Sequence, residues 1–291
     1  MRYIKADTFA DAYREALDSV LNSPEYETSP RGMKIREVTN MQMEFNPMYP
    51  MYDNARRGSQ SRYIAAELLW YFTGRNDVDF ISKFAKFWEQ LDNGDGTVNS
   101  AYGNLLFREF NLKGMTEWEW AFDSLASDRD TRQAVVHFNK PDHKWKGNKD
   151  FVCTLNGTFQ IRDGKLNFKV HMRSNDMVLG TATDVAFFCL LQQQMLSLLK
   201  PTYPDLELGT YVHEVDSMHI YERHFGLVEE MLASEFSRAS FPETDKDLIN
   251  CTGQPHPKMV RMVESIMEDK EIAAERDPLL AWIANQINTK Q

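Results

Sequence analysis

The chain has 291 residues, 42% of them apolar, which excludes a disordered or fibrous protein and leaves enough material for a sizeable core. Its 43 acidic and 33 basic residues leave a net charge of −10, which repels a nucleic-acid polymer but permits one phosphate ester held by two or three arginines. Three cysteines (Cys153, Cys189, Cys251) without a CxxC pair exclude a disulfide framework and a cysteine-rich zinc site. No basic-then-apolar leader is visible, and the most apolar stretch, 185–199, is broken by Gln192, Gln193 and Gln194. The expectation is a soluble, unexported protein of a reducing cytoplasm, with no membrane contact.

In residues 8–23, Phe9, Tyr13, Leu17, Val20 and Leu21 recur at helical spacing and predict an amphipathic helix. Residues 33–45 alternate through Ile35, Val38, Met41, Met43 and Phe45 and read as a strand, followed by an irregular stretch to Asn54. Helices are predicted over 60–72 and 78–91, then a turn in 93–99 and a helix over 117–127. Residues 134–138, 151–161 and 166–172 are strand-like, and the last two runs are joined by Asp163-Gly164, which suits a hairpin because both residues tolerate positive φ. A helix over 184–198, a strand over 206–215, a helix over 222–233 and a charged helical tail complete an α+β layout. Without a repeat or a Pro/Gly/Ser-rich linker, one domain over 1–291 is expected, with a helical extension of unassigned role from about 250 onward.

Cys153, in FVCTLN, reads either as a small buried hydrophobe or as a thiolate nucleophile, whose pKa must be lowered by groups such as Arg173, Ser174 and Asn175. Cys189, in VAFFCL, reads as core. The segment MRSND is either an ordinary turn or a phosphate clamp, since a guanidinium holds two phosphate oxygens while a hydroxyl donates to a third. Glu67, in AAELLWYF, is either the polar edge of an amphipathic helix or a buried acid of raised pKa. His219 and Tyr221 share one face of SMHIY, as a core pair or as two groups aimed at a ligand. His213, His219 and His224 lack metal-site spacing, and no metal is assigned.

In chain order, ELLWYFTG, FWEQLDNGDGTVNSAYG, DTRQAVV, DFVCT, MRSNDMVLG and HIYERH resemble the motifs of the thymidylate synthase superfamily, from about residue 31 to 224. The resemblance implies a large mixed sheet flanked by helices, packed sheet to sheet in a homodimer, and a site for a pyrimidine nucleoside monophosphate and 5,10-methylenetetrahydrofolate. It implies Cys153 as the nucleophile at pyrimidine C6, Glu67 as the acid that orders water and relays protons, and Tyr102 beside the reacting base. Arg31, Arg173 and Ser174, with Asn175 next to them, match substrate-binding positions, and His219 and Tyr221 match the pair that bonds the sugar 3′-hydroxyl. Asp176 matches the contact to the folate pterin, and Trp88 a wall of the folate site. Arg132 matches the arginine sent across the dimer to the partner's phosphate. Gln133 replaces a second arginine, for which Arg36, Arg56 and Arg57 are candidate substitutes.

Asp184 stands where the synthases carry asparagine. A carboxylate accepts from the cytosine amino group, and from N3 when that nitrogen is protonated. Against uracil O4 it sets two acceptors together, at a cost of about 1–3 kcal/mol. Asp184 also suits the N-cap of the helix predicted to start there. With DFVCT and VDSMHIY it resembles the phage deoxycytidylate hydroxymethylase branch, which implies methylene transfer to C5 of dCMP followed by water addition. The ending WIANQINTKQ lacks the apolar tail that closes a synthase over folate, and so points to water, positioned by Glu67, in place of hydride. Methylation of (d)CMP, a dUMP-specific enzyme and a non-catalytic nucleotide-binding relative stand as alternatives.

Overall fold

A computed structural model describes residues 2–289. The chain runs β1 (Arg2–Lys5), α1 (Phe9–Asn22), β2 (Tyr26–Thr28), β3 (Ile35–Phe45), β4 (Met51–Asn54), α2 (Ser61–Phe72), α3 (Val78–Ile81), α4 (Tyr102–Phe107), α5 (Glu117–Ser127), β5 (Val135–His137), β6 (Thr154–Arg162), β7 (Lys165–Met172), β8 (Asn175–Asp176), α6 (Thr181–Leu199), β9 (Glu207–Tyr221), α7 (Phe225–Leu232), β10 (Phe236–Ala239), α8 (Pro257–Met267) and α9 (Pro278–Asn288). The architecture is α+β, with a large mixed sheet in the order β1-β3-β9-β7-β6-β5; β2 adds to β3 and β8 to β9, while β4 and β10 pair separately. Among the described residues no helix is long and apolar enough to cross a membrane.

Local chemistry accounts for the elements that periodicity predicts. α1 starts where the Thr8 hydroxyl accepts from the Asp11 amide (3.3 Å), and it buries Phe9, Tyr13, Leu17, Val20 and Leu21. α5 opens on a reciprocal capping box between Thr116 and Glu119. Asp163 and Gly164 turn the β6–β7 hairpin with φ of 49° and 74°. On β7, Leu166, Phe168, Val170 and Met172 enter the core, while Lys165, Asn167, Lys169 and His171 line the opposite, polar face.

Four expectations are corrected. The helix expected over 78–91 ends as α3 at Ile81, because Ala85 is extended (φ −147°) and only a 3-10 turn follows at Lys86–Gln90. α4, β1, β2, β8 and β10, unpredicted, are short elements held by tertiary contacts, and β4 falls in the stretch expected to be irregular. α6 starts at Thr181 with Gly180 as N-cap, so Asp184 lies inside its first turn and is not its cap. The strand expected over 206–215 is one 15-residue strand, β9, that carries His219 and Tyr221 to its end. The ending WIANQINTKQ is α9 from Trp282 to Asn288, and its last two residues lie outside the described ones.

Two features position the site. The sheet is irregular along one line: the β6–β7 register shifts between Thr154 and Asn156, β7 ends opposite Thr154 at Met172, and β3, across the intervening β9, holds Asn40 at φ 51°. Cys153 and Arg173 flank this line, as expected where irregular pairing re-aims side chains beside a site. α2 is buried from Ile64 to Phe72, with no polar edge, because α8 and α9 cover it with Met259, Met262, Leu280 and Ile283 among others. The extension after residue 250 is thus helical and packs on the helix that carries Glu67.

Candidate active site

Cys153, just before β6, accepts at its backbone carbonyl from the Arg173 amide (2.9 Å). The Arg173 guanidinium folds back over Phe151, donates to the carbonyls of Phe151 and Val152, and brings Nη2 to 3.4 Å from Cys153 Sγ. The sequence-based requirement for a cation beside the thiol is met. The direction of the pKa shift is the reverse: burial pushes the thiol up, and Asp184 and Asp150 add to this, outweighing Arg173 and Arg31. The segment leading to Cys153 is anchored through Asp150, whose carboxylate accepts from the Ser100 amide (2.6 Å) and hydroxyl.

Glu67 is 6% exposed, so the reading as a helix's polar edge fails. Its carboxylate accepts from Tyr63 (2.7 Å) and faces Tyr71 (3.4 Å), one turn away on either side, and Tyr63 in turn accepts from Trp88 Nε1 (2.8 Å). Burial raises its pKa to about 8, and the negative charge of Asp184 contributes. Tyr63 and Tyr71 stand at i−4 and i+4 of Glu67, a spacing signal that the sequence reading missed.

Asp184 accepts from Asn175 Nδ2 at Oδ2 (2.7 Å). Burial raises its pKa to about 7, while the Asn175 amide and the Tyr102 hydroxyl hold it down. Tyr102 stacks on Tyr71 (centroids 5.3 Å) and Phe188 (5.5 Å). That stack requires α4 to lie on α2, and only glycine at 103 allows it: a Cβ there would sit 1.7 Å from the Tyr71 carbonyl oxygen.

β8 pairs with the end of β9 and sets Asp176 opposite His219. His219 Nδ1 lies 3.2 Å from the Ser217 carbonyl, so it carries the proton and leaves Nε2 as an acceptor. The His219 ring meets Tyr221 edge-on at 5.1 Å. Asp176 Oδ1 accepts from the amides of Val178 and Leu179. Ser174 is part-buried and makes no side-chain hydrogen bond among the described residues. Arg31 is exposed, at φ 53° in a 3-10 turn, and its charge reaches Cys153. Arg132 and Gln133 are exposed just before the edge strand β5. Of the candidate substitutes, Arg36 is committed to Glu27 and Leu21, Arg56 faces Glu230 and Arg57 donates to the Val178 carbonyl.

A cavity of about 320 Å³ lies beside Tyr63, among Ser59, Gln60, Arg62, Phe84 and Gln286. One buried donor in its lining, Arg62 Nε, has no protein partner among the described residues. A larger cavity of about 650 Å³, around Lys246, Lys258, Arg276 and Asp277, shares none of these groups. Among the described residues no cluster of His, Cys, Asp and Glu is placed to hold a metal ion.

The comparisons agree with this geometry. A deoxycytidylate 5-hydroxymethyltransferase of Enterobacteria phage T6 is 32% identical over 174 residues, covering 57% of this chain and 70% of the relative. A deoxyuridylate hydroxymethyltransferase of Bacillus phage SP01 is 26% identical over 307 aligned positions, covering 94% and 78%. A thymidylate synthase of Bacillus atrophaeus is 28% identical over 163 residues, covering 54% and 69%. A family model described as thymidylate synthase matches residues 11–250, and the chain belongs to the thymidylate synthase family.

Proposed function

We propose that this protein is a deoxycytidylate 5-hydroxymethyltransferase that works as a homodimer. The observation that carries the reading is Asp184, a carboxylate held by Asn175 and Tyr102 in the site of the Cys153 thiol. It accepts from the 4-amino group of cytosine, and its pKa of about 7 keeps a proton available for N3. Supporting the hydroxymethyl product, relatives named for either base, deoxycytidylate or deoxyuridylate, are hydroxymethyltransferases.

Cys153 Sγ adds to C6, which opens the 5,6 double bond and makes C5 the nucleophile. Arg173 stabilises the thiolate as it forms, against the burial that keeps the free thiol protonated. His219 Nε2 accepts from the sugar 3′-hydroxyl, with Tyr221 beside it. Arg31, Arg173 and Ser174 hold the phosphate, joined by Arg132 from the other subunit across the polar sheet faces.

5,10-Methylenetetrahydrofolate supplies a one-carbon unit at the oxidation level of formaldehyde. The unpartnered Arg62 donor and the cavity it lines fit the carboxylate tail of a folate, with Trp88 bonded to Tyr63 of the same lining and the second oxygen of Asp176 left for the heterocycle. Glu67 enters the cycle protonated at neutral pH and gives that proton to the folate nitrogen that departs; once C5 has lost its hydrogen as a proton and the bond between the transferred carbon and tetrahydrofolate has broken, Glu67 takes a proton from the water whose oxygen bonds to that carbon, and Sγ leaves C6 as the 5,6 double bond re-forms.

Incubation with dCMP, dUMP and methylenetetrahydrofolate, followed by mass spectrometry, tests the reading. A gain of CH₂O on dCMP is expected; a gain of CH₂, or modification of dUMP alone, refutes it. Modification of dUMP is the second reading, favoured by the alignment over 94% of this chain with the deoxyuridylate enzyme of phage SP01.

A further inference from the structure

Behind Asp184 runs a buried polar chain that the reaction above does not use. Asn175 gives Nδ2 to Asp184 Oδ2 (2.7 Å), and its Oδ1 accepts from Thr181 Oγ1 (2.6 Å) and meets His213 Nε2 at 3.1 Å. His213 Nδ1 in turn lies 2.9 Å from the Tyr211 hydroxyl. Tyr211, His213 and Thr181 are fully buried, and Asn175 is 5% exposed.

One self-consistent set of donors and acceptors runs through this chain. Burial drives the His213 pKa down to about 3, so the ring is neutral and carries one N–H. With the Tyr211 hydroxyl donating to Nδ1, that proton is on Nε2 and points at Asn175 Oδ1. Thr181 donates to the same oxygen. In that set Oδ1 has two donors, which hold the amide with Nδ2 toward Asp184. Nδ2 must then face Asp184, and Asp184 Oδ2 is held as an acceptor.

A free carboxyl would not discriminate between the bases. With its proton on one oxygen it complements cytosine, and with the proton moved to the other it complements uracil. The Asn175 donor on Oδ2 favours the ionised carboxyl, whose other oxygen then accepts from the cytosine 4-amino group and has no proton to give to uracil O4.

We propose that Asn175, oriented by Tyr211, His213 and Thr181, is the positioning residue that fixes the acceptor polarity of Asp184, so that this relay, and not Asp184 alone, sets the choice of cytosine over uracil. The inference rests on the functional reading above. It also explains Gly180: a Cβ there would lie 3.1 Å from Asn175 Nδ2 and 3.3 Å from Asp184 Oδ2, crowding this one hydrogen bond.

The test measures kcat/KM for dCMP and dUMP in the wild type and in Asn175→Ala, His213→Leu, His213→Gln and Tyr211→Phe. A merely structural chain would lower both values together and leave their ratio unmoved. The relay predicts that Asn175→Ala and His213→Leu lower the dCMP:dUMP ratio by about tenfold or more, the loss of one hydrogen bond to a charged group. His213→Gln, whose amide can still donate to Asn175 Oδ1, is expected to keep most of the ratio. If His213→Leu does not fold, Tyr211→Phe, which removes one hydroxyl, carries the same prediction with a smaller shift. A cytosine-preferring wild type whose ratio these variants leave unchanged overturns the relay alone. A wild type that acts on dUMP and not dCMP overturns the functional reading, and the relay with it.

Discussion

Replacing Asp184 by asparagine is the sharpest perturbation of the site, because the surroundings dictate how the new side chain must lie. Asn175 Nδ2 stands 2.7 Å from Oδ2 and needs an acceptor. The introduced asparagine therefore turns its oxygen to Asn175 and presents NH₂ where Asp184 has its other oxygen; the opposite flip leaves two donors in contact, at about 1–3 kcal/mol. Against cytosine the new NH₂ faces the 4-amino group, again donor to donor, and a charge-assisted bond is lost as well. Against uracil the same NH₂ meets O4, an acceptor. Summing one unsatisfied donor pair and one lost bond to a charge gives about 3–4 kcal/mol of swing, a change of several hundredfold in the dCMP:dUMP ratio of kcat/KM. Both nucleotides compete in one tube with methylenetetrahydrofolate, and the products are separated by mass. A second signature is expected in the pH profile: the charge of Asp184 helps raise the Glu67 pKa, so the limb set by Glu67 moves to lower pH in the variant. A ratio that moves less than about fivefold while both activities fall refutes the argument, because a change under 1 kcal/mol means that Asp184 does not face the base edge.

Glu67→Gln tests burial of the acid through stability. The folded-state pKa, raised from 4.5 to about 8, means that the folded chain binds more protons than the unfolded one between those values, so the contribution of Glu67 to stability is fully present below pH 4.5 and is lost as pH rises through 8. The penalty at pH 9 amounts to at most about 5 kcal/mol. The glutamine of the variant does not titrate, and the variant is expected to melt above the wild type at pH 9 and to lose that advantage by pH 5; a difference in Tm that is flat with pH contradicts the burial. Gly103→Ala drives a Cβ onto the Tyr71 carbonyl and must push α4 off α2, costing about 1–3 kcal/mol and displacing Tyr102; unchanged melting and turnover would contradict the close approach. For the homodimer, Arg132→Ala and Cys153→Ala are each expected to be inactive. Mixed and re-equilibrated, they should recover about a quarter of wild-type activity, because half the dimers are hybrids with one complete site of two; no recovery, with hybrids confirmed by mass, places Arg132 outside the partner's site.

What could be read in advance, and what could not, divides along a physical line. Periodicity and caps are local, so α1, the α5 capping box and the Asp163-Gly164 hairpin were legible. α4 was not: it is six residues long, and its place is set by Gly103 lying against the Tyr71 carbonyl of a different helix. Chemical identity was legible for Cys153, Glu67 and Asp184, yet their ionisation was not, because burial is a property of the assembled fold. Arg173 does reach Sγ, which spacing alone could not show, and the thiol pKa still goes up. His213 marks the limit most clearly. A lone histidine in an alternating strand has no sequence signal beyond its place on the inward face, and inward histidines are ordinarily satisfied core residues. Its significance comes from two partners, Tyr211 two residues back on β9 and Asn175 on β8, the second of which bonds Asp184 on α6, a line that forms only because β9 continues past the point where its periodicity fades. On the proposed reading, specificity in this site therefore resides in contacts of long sequence separation, while the candidate reacting groups are visible one motif at a time.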